Sequence, residues 1–324
     1  MSFVTVIVPV YNTPKRFLKP CLDSIAAQTM SCNVIIVDDH SRHFTRDYLR
    51  LYCLDKPDWQ VISHRKNRGV AWARNTALSR VETKYTAICD ADDVWSEDKL
   101  YHQVKDLEID NAYAIKTYVN ICGVTVDYRN ETDYPLTERT APVDFVTDLK
   151  DDSDYLKSEK LIYKVPSHLS KSLLRETSVE SLSSFTLEET DVRAAYTKLI
   201  RFNASLCGSN ALFDTVMLRS VGGFDQRLNG ADEWDALLKV AAIGNVSVTP
   251  KNLLRYVRHT GSFSTTKLKH LRSVCEDIIY KHRKNLNDSE RVLLQSVEVA
   301  QWATDFEKLT FAPGTPYKII QYHG

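Results

Sequence analysis

Four short apolar runs rich in β-branched residues punctuate the first part of the chain. They are Val4-Thr5-Val6-Ile7-Val8-Pro9-Val10, Val34-Ile35-Ile36-Val37, Trp59-Gln60-Val61-Ile62-Ser63 and Tyr85-Thr86-Ala87-Ile88-Cys89. Each has the length and composition of a buried strand. Helical spacing fills the gaps: Phe17 to Thr29, with Leu18, Leu22, Ile25 and Ala26 on one face, then Arg46 to Cys53 and Val70 to Val81. Such alternation requires right-handed crossovers and a mainly parallel sheet flanked by helices, an α/β fold. Ligands of these sheets bind outside the carboxyl ends of the strands. Tyr11-Asn12, Asp38-Asp39 and Asp90-Ala91-Asp92-Asp93 all fall at those ends. One shared site is therefore expected rather than three unrelated polar turns.

The acidic run Asp90-Ala91-Asp92-Asp93 carries the most chemistry. It leaves the fourth strand and precedes Val94-Trp95-Ser96-Glu97-Asp98, where Ser96 before two acids reads as a helix N-cap. Three carboxylates this close repel one another and call for a positive partner. A hard cation such as Mg²⁺ or Mn²⁺ takes oxygen ligands and is often held by one or two carboxylates plus substrate phosphates. For an isolated D-x-D-D, a solvated acidic turn is the competing explanation.

Composition narrows the function classes. Lys plus Arg equals Asp plus Glu at 42 each, so no global field draws the chain to nucleic acid or to a membrane. The seven cysteines are scattered and form no C-x-x-C pair, which argues against a disulfide framework or a zinc site and for a reducing compartment. Val4 to Val10 lacks a basic flank and is too short for a signal peptide or a membrane span, and no later run reaches spanning length. A cytoplasmic protein is expected.

The rhythm breaks after the first half. Residues 127–197 hold 15 acids and 9 bases with little periodicity, and read as an insertion on the acceptor side or as surface decoration. Order returns with Leu206 to Phe213, Val221-Gly222-Gly223-Phe224-Asp225 and Gly230 to Val240. The last has an apolar helical face with Asp232 and Glu233 in its first turn, where the helix dipole alone favours acids. Leu268 to Leu309 reads as two helices, and Lys251 to Lys284 carries nine Lys/Arg against two acids. The expected division is 1–126, 127–205, 206–264 and 265–324.

Taken in order, these segments resemble glycosyltransferase family 2, the inverting nucleotide-sugar transferases of the GT-A (Rossmann-like) fold. The resemblance rests on Val8-Pro9-Val10-Tyr11-Asn12, Ser24 to Thr29, Ile36-Val37-Asp38-Asp39-His40-Ser41, Asn67-Arg68-Gly69-Val70-Ala71-Trp72-Ala73-Arg74-Asn75, Asp90-Ala91-Asp92-Asp93, Gly222-Gly223-Phe224-Asp225, Asp232-Glu233, and Tyr256 to Ser264. It implies a nucleotide-sugar donor, most readily a UDP-sugar. Pro9, Tyr11, Asn12, Asn67 and Arg68 would line the donor site. Asp39 would accept from the nucleobase imide and Asp90 would bond a ribose hydroxyl. Asp92, with Asp90, Asp93 and His259, would form the Mn²⁺ or Mg²⁺ site. Arg74 and Arg258 would face phosphate charge.

The family usually reads Glu-Asp where this chain reads Asp232-Glu233. By position Glu233 is the catalytic base and by residue type Asp232 is; the longer Glu233 is favoured. Trp234 would stack on a sugar ring or pack in the core. A glycan hydroxyl is the expected acceptor. The basic 251–284 segment leaves two other partners open: a hydroxylated base in DNA, and peripheral contact with an anionic membrane surface. A non-catalytic nucleotide-sugar-binding protein is the competing function class, against which the intact carboxylates stand. A nucleotidyltransferase would need a glycine-rich basic loop after the first strand, and Pro9 to Pro14 is not one.

Overall fold

The structure is a computed structural model that describes residues 2–112, 116–129, 139–143, 207–228, 230–259, 261–262 and 267–286; for 126–129, 139–143, 250, 258, 268, 269 and 272 it describes the backbone alone. Most of the expected insertion, 127–205, and the second C-terminal helix lie outside the described residues, as do Thr260 and Phe263 to Ser264.

The strands are β1 (Val4–Val10), β2 (Cys32–Asp38), β3 (Trp59–Ser63), β4 (Tyr85–Ile88), β5 (Val94–Trp95), β6 (Thr117–Arg129), β7 (Arg139–Val143), β8 (Ala211–Asp214) and β9 (Asn245–His259). The helices are α1 (Lys15–Ala26), α2 (His43–Tyr52), α3 (Val70–Leu78), α4 (Lys99–Ala112), α5 (Thr215–Ser220), α6 (Asp232–Ala241) and α7 (Leu268–Arg283). One sheet runs in the order β3-β2-β1-β4-β8-β6-β9-β5, with β7 beside β6. The parallel expectation holds for β1 with β2 and β4, for β2 with β3, and for β6 with β9. Antiparallel pairs enter through β8, β5 and β7.

The local reasons are visible strand by strand. β1 is buried on both faces, which is what its unbroken β-branched run requires in a sheet covered on each side. Pro9 is tolerated in this central strand because its nitrogen points past the end of β4, whose pairing with β1 stops at Ile7 and Ile88. One apolar layer joins Ala73 and Leu78 of α3, Leu218 of α5, Leu237 and Leu238 of α6 and Ile278 of α7. The other joins Leu18 and Leu22 of α1, Leu49 of α2 and Leu100 and Leu107 of α4.

One expected boundary is corrected. Ser96 does not cap a helix: Val94-Trp95 pair with β9, the Ser96 amide donates to the Leu253 carbonyl at 2.9 Å, and α4 starts only at Lys99. That short pairing brings the acidic loop against the carboxyl end of β9. Trp234 is also settled, at 2% exposure inside the α6 layer and out of reach of a sugar ring. Among the described residues no helix is long and apolar enough to cross a membrane.

Candidate functional site

Two carboxylate clusters form at the carboxyl edge of the sheet. The first centres on Asp39, just past β2. Its Oδ1 accepts from the Arg68 amide at 2.9 Å and lies 2.7 Å from His64 Nδ1; its Oδ2 accepts from the Arg68 amide at 3.0 Å and the Gly69 amide at 2.7 Å. These two amides lead into α3, where a carboxylate is also favoured by the helix dipole. Gly69 turns there with φ +94°, a backbone state that side-chain-bearing residues rarely adopt. Asn67 Nδ2 reaches the Asp39 carbonyl at 3.4 Å, and the Arg68 guanidinium stacks 3.4 Å from the Trp72 ring centroid.

The loop after β1 is tied to the same corner. The Asn12 amide donates to Ser41 Oγ at 2.9 Å, and Asn12 Oδ1 accepts from the Arg42 amide at 2.8 Å. Tyr11 stands half exposed beside it.

The second cluster centres on Arg74, a buried residue of α3. Its Nη2 donates to Asp90 Oδ1 at 2.6 Å, and its Nη1 donates to Asp232 Oδ2 and Glu233 Oε2, both at 2.8 Å. One guanidinium thus joins the acidic loop after β4 to the first turn of α6. This corrects the expectation that Arg74 faces phosphate: both of its terminal nitrogens are engaged by acids of the protein. One cation against three carboxylates leaves excess negative charge in a dry place. Burial, reinforced by Asp232 and Asp90 and only partly offset by Arg74, pushes Glu233 up to about 7. Burial also raises Asp232, again against the pull of Arg74. The Asp232 side chain is sealed, whereas 18% of the Glu233 side chain is exposed, so only Glu233 of the pair opens to the rim.

Residues outside the expected set shape this cluster. Ser209 Oγ accepts from the Asp90 amide at 2.9 Å. Gly208 lies against Glu233, where an added Cβ would meet the Glu233 Cβ at 3.1 Å. Gly223 turns with φ +62°, and an added Cβ there would lie 2.6 Å from Asn75 Oδ1. That close approach lets Asn75 hold both backbone groups of Phe224. Among the described residues, three non-glycine residues adopt positive φ: Asn12, His40 and Ala231, all in loops at the two clusters. Such conformations cost about 1–3 kcal/mol each and gather where function fixes the backbone.

The metal-ligand expectation contracts. Asp92 Oδ2 and His259 Nε2 lie 3.1 Å apart at the rim, and the His259 ring stacks on Phe17 with centroids 4.1 Å apart. These two residues fit a hard divalent cation that takes its remaining ligands from phosphate and water. Asp90 is engaged by Arg74. Asp93 is fully buried, accepts from the Val257 amide at 3.0 Å, and is raised well above the ordinary carboxylate range, first by burial and then by Asp92 and Asp90. It faces the interior and is not placed to ligate. Among the described residues no group of three or more His, Cys, Asp or Glu side chains could hold a metal ion by itself. Arg258 lies on β9, and its side chain falls outside the described residues.

The basic C-terminal helix docks on α6. Lys281 lies 2.7 Å from Asp235 and 2.9 Å from Asp225, and His282 lies 2.8 Å from Asp235. Burial opposes ionisation of Asp235, yet His282, Lys239 and Lys281 hold it down, to about 2. Part of the positive charge of 251–284 is therefore internal to the fold.

Comparisons with known proteins bear on the family and the fold. The family described as "Glycosyl transferase family 2" matches residues 5–159, and "Glycosyltransferase like family 2" matches residues 168–302. The glycosyltransferase TuaG of Bacillus subtilis (strain 168), named for teichuronic acid biosynthesis, is 38% identical over 103 residues, 32% of this chain and 40% of that protein. The chain thus spans less than half of that relative's length. TarS residues 1–349 of S. aureus, solved with UDP, superposes with a TM-score of 0.56 at 17% identity, covering 91% of this chain and 70% of that one. The mannosyltransferase PcManGT of Pyrobaculum calidifontis, solved with GDP-Man and Mn²⁺, gives 0.52 at 20% identity, covering 94% and 75%. The fold is the α/β GT-A fold of these neighbours. With two family 2 matches that together run along most of its length, the chain belongs to glycosyltransferase family 2.

Proposed function

We propose that the chain transfers a sugar, with inversion and with a divalent cation, from a nucleotide diphosphate donor to a hydroxyl of a glycan. A UDP-sugar is the donor this reading favours. The observation that carries it is Arg74, which holds the acidic loop and the α6 acids on one rim, so that donor and base sites adjoin. Glu233 is the base: it opens to the rim, it reaches further than Asp232, and a value near 7 suits proton removal at neutral pH. Asp39, Asn12, Tyr11, Pro9, Asn67 and Arg68 would surround the nucleoside, and Asp90 would meet the ribose. Asp92 and His259 would hold Mn²⁺ or Mg²⁺, which supplies charge stabilisation to the departing diphosphate. Relatives named for teichuronic acid and succinoglycan biosynthesis support a glycan acceptor. The division at 127, 206 and 265 then separates donor half, acceptor-side insertion, base half and C-terminal extension.

Nucleotide sugars with Mn²⁺ should raise the melting temperature by mass action. Mass spectrometry should then show glycosylated product from a panel of glycan and hydroxylated-DNA acceptors, lost in Glu233→Gln. A wild type that binds UDP-sugars yet glycosylates nothing would favour a binding protein. Product on DNA alone, weakening steeply with salt, would overturn the glycan acceptor.

A further inference from the structure

The C-terminal helix α7 meets the start of α6. Its Leu271, Val274, Cys275 and Ile278 recur at helical spacing and join the apolar layer that holds Trp234, Leu237 and Leu238 of α6. Its opposite face, with Ser273, Glu276, Asp277 and Tyr280, is exposed. In its last turn Lys281 and His282 sit where a helix C-terminus favours cations, and they meet an acid from the first turn of α6. Lys281 Nζ lies 2.7 Å from Asp235 Oδ1 and 2.9 Å from Asp225 Oδ2, and His282 Nε2 lies 2.8 Å from the same Asp235 oxygen. Lys239 lies 3.2 Å from the other oxygen of Asp235. The Asp235 side chain is fully sealed and follows Glu233 by two residues. Lys281 thus ties α7 both to the first turn of α6 and to the turn that Asn75 docks on α3.

Glu233 has neighbours from several elements. Arg74 of α3 donates to it at 2.8 Å, Gly208 lies against its Cβ, and the charges of Asp232 and Asp90 act on it. The Cys207 thiol, raised by burial, feels Asp93, Asp90 and Glu233. Cys275 on α7 is 1% exposed; burial first, then the charges of Glu233 and Glu276, push its thiol up to about 12. A charge acts that strongly on a buried thiol only where little water screens it. The Cys275 face of α7 therefore belongs to the dry surround of Glu233. We infer that α7 is the rear wall of the base site and that Lys281 is a positioning residue: it pins α7 to the first turn of α6 and so fixes the aim and the dryness of Glu233. This rests on the reading of Glu233 as the base.

The test compares the full chain as wild type, Lys281→Met, Asp225→Asn and Glu233→Gln. Three quantities are read: labelling of native thiols by a small maleimide with mass spectrometry, the Glu233 midpoint from carboxyl carbon NMR, and steady-state transfer from a UDP-sugar to the acceptor found in the panel above. In wild type Cys275 stays protected. In Lys281→Met it reacts while the buried Cys21, Cys89 and Cys122 stay protected, which separates loosening of α7 from unfolding. The Glu233 midpoint moves from near 7 toward the ordinary 4.5, because water admitted beside the carboxyl group favours its ionised form. Plateau kcat falls about 10-fold as the base loses its aim, and KM for the donor keeps its wild-type value. Asp225→Asn, which leaves Lys281 its contact with Asp235, makes the same changes to a smaller degree. A folded Lys281→Met whose Glu233 midpoint does not move, whatever its kcat, overturns this inference alone. If Lys281→Met does not fold, an unmoved midpoint in Asp225→Asn does the same. A Glu233→Gln that transfers sugar at the wild-type rate overturns the base reading and this inference together.

Discussion

The two carboxylate clusters solve the same problem in different ways. Asp39 is held by two backbone amides and a histidine that all come from one stretch of chain, residues 64–69. Asp90, Asp232 and Glu233 share one buried guanidinium, contributed by α3 to acids 16, 158 and 159 residues away. The first cluster has its donors matched to its lone pairs. The second is partly buried and short of positive charge; burial first, then Asp232 and Asp90, push Glu233 up to about 7. Geometry of the first kind suits recognition, which needs a fixed acceptor. The second suits proton transfer, which needs a group poised to change charge.

The comparison breaks first at Arg74. Arg74→Met leaves the sealed Asp232 and the partly buried Asp90 and Glu233 without a counter-charge, and a loss of about 3–5 kcal/mol in urea unfolding is expected. Asp39→Asn should cost less, about 1–3 kcal/mol, because it leaves the donors of one loop, rather than a group of acids, without a partner; comparable losses would erase the distinction. Glu233→Gln should lower turnover by about 10²–10⁴-fold, with nucleotide affinity unchanged in titration. Gly208→Ala should press on Glu233 and lower the rate by about 10-fold with little change in melting temperature. An unaffected rate would mean that Glu233 has room to move.

Much of this arrangement was legible in the sequence. The first four strands and three helices follow from apolar periodicity, and their carboxyl-edge loops from the alternation itself. What escaped depended on contacts between distant segments. Ser96 reads as a cap until β9 captures its amide. Asp93 reads as a ligand until β9 buries it against Val257. Arg74 reads as a phosphate contact because no spacing reveals that three acids converge on it. Gly208 and Ser209 carry no local signal beyond small size. His64 had one: a polar ring at the end of a strand, beside a neighbour that ends in Asp39. The basic 251–284 segment misled in part because charge counts cannot say that Lys281 and His282 meet Asp235.

Linkage gives the two acid environments opposite signs. Asp235, depressed to about 2 from 3.8, contributes stability that is present above its unfolded value and lost as pH falls toward 2. Glu233 lies above its unfolded 4.5, so the folded state keeps a proton that the unfolded chain releases. Its contribution falls as pH rises from 4.5 to about 7 and then levels. Equilibrium unfolding across this range should show a downward slope that is shallower in Glu233→Gln than in wild type, since the raised Asp232 and Asp93 contribute in both.

The most direct measurement is the titration of Glu233 itself, by carboxyl carbon NMR of the wild type assigned by difference against Glu233→Gln. The account predicts a midpoint near 7, matched by a rise of kcat through the same pH. A midpoint at the ordinary 4.5, with a rate that does not change between pH 5 and 8, would contradict it.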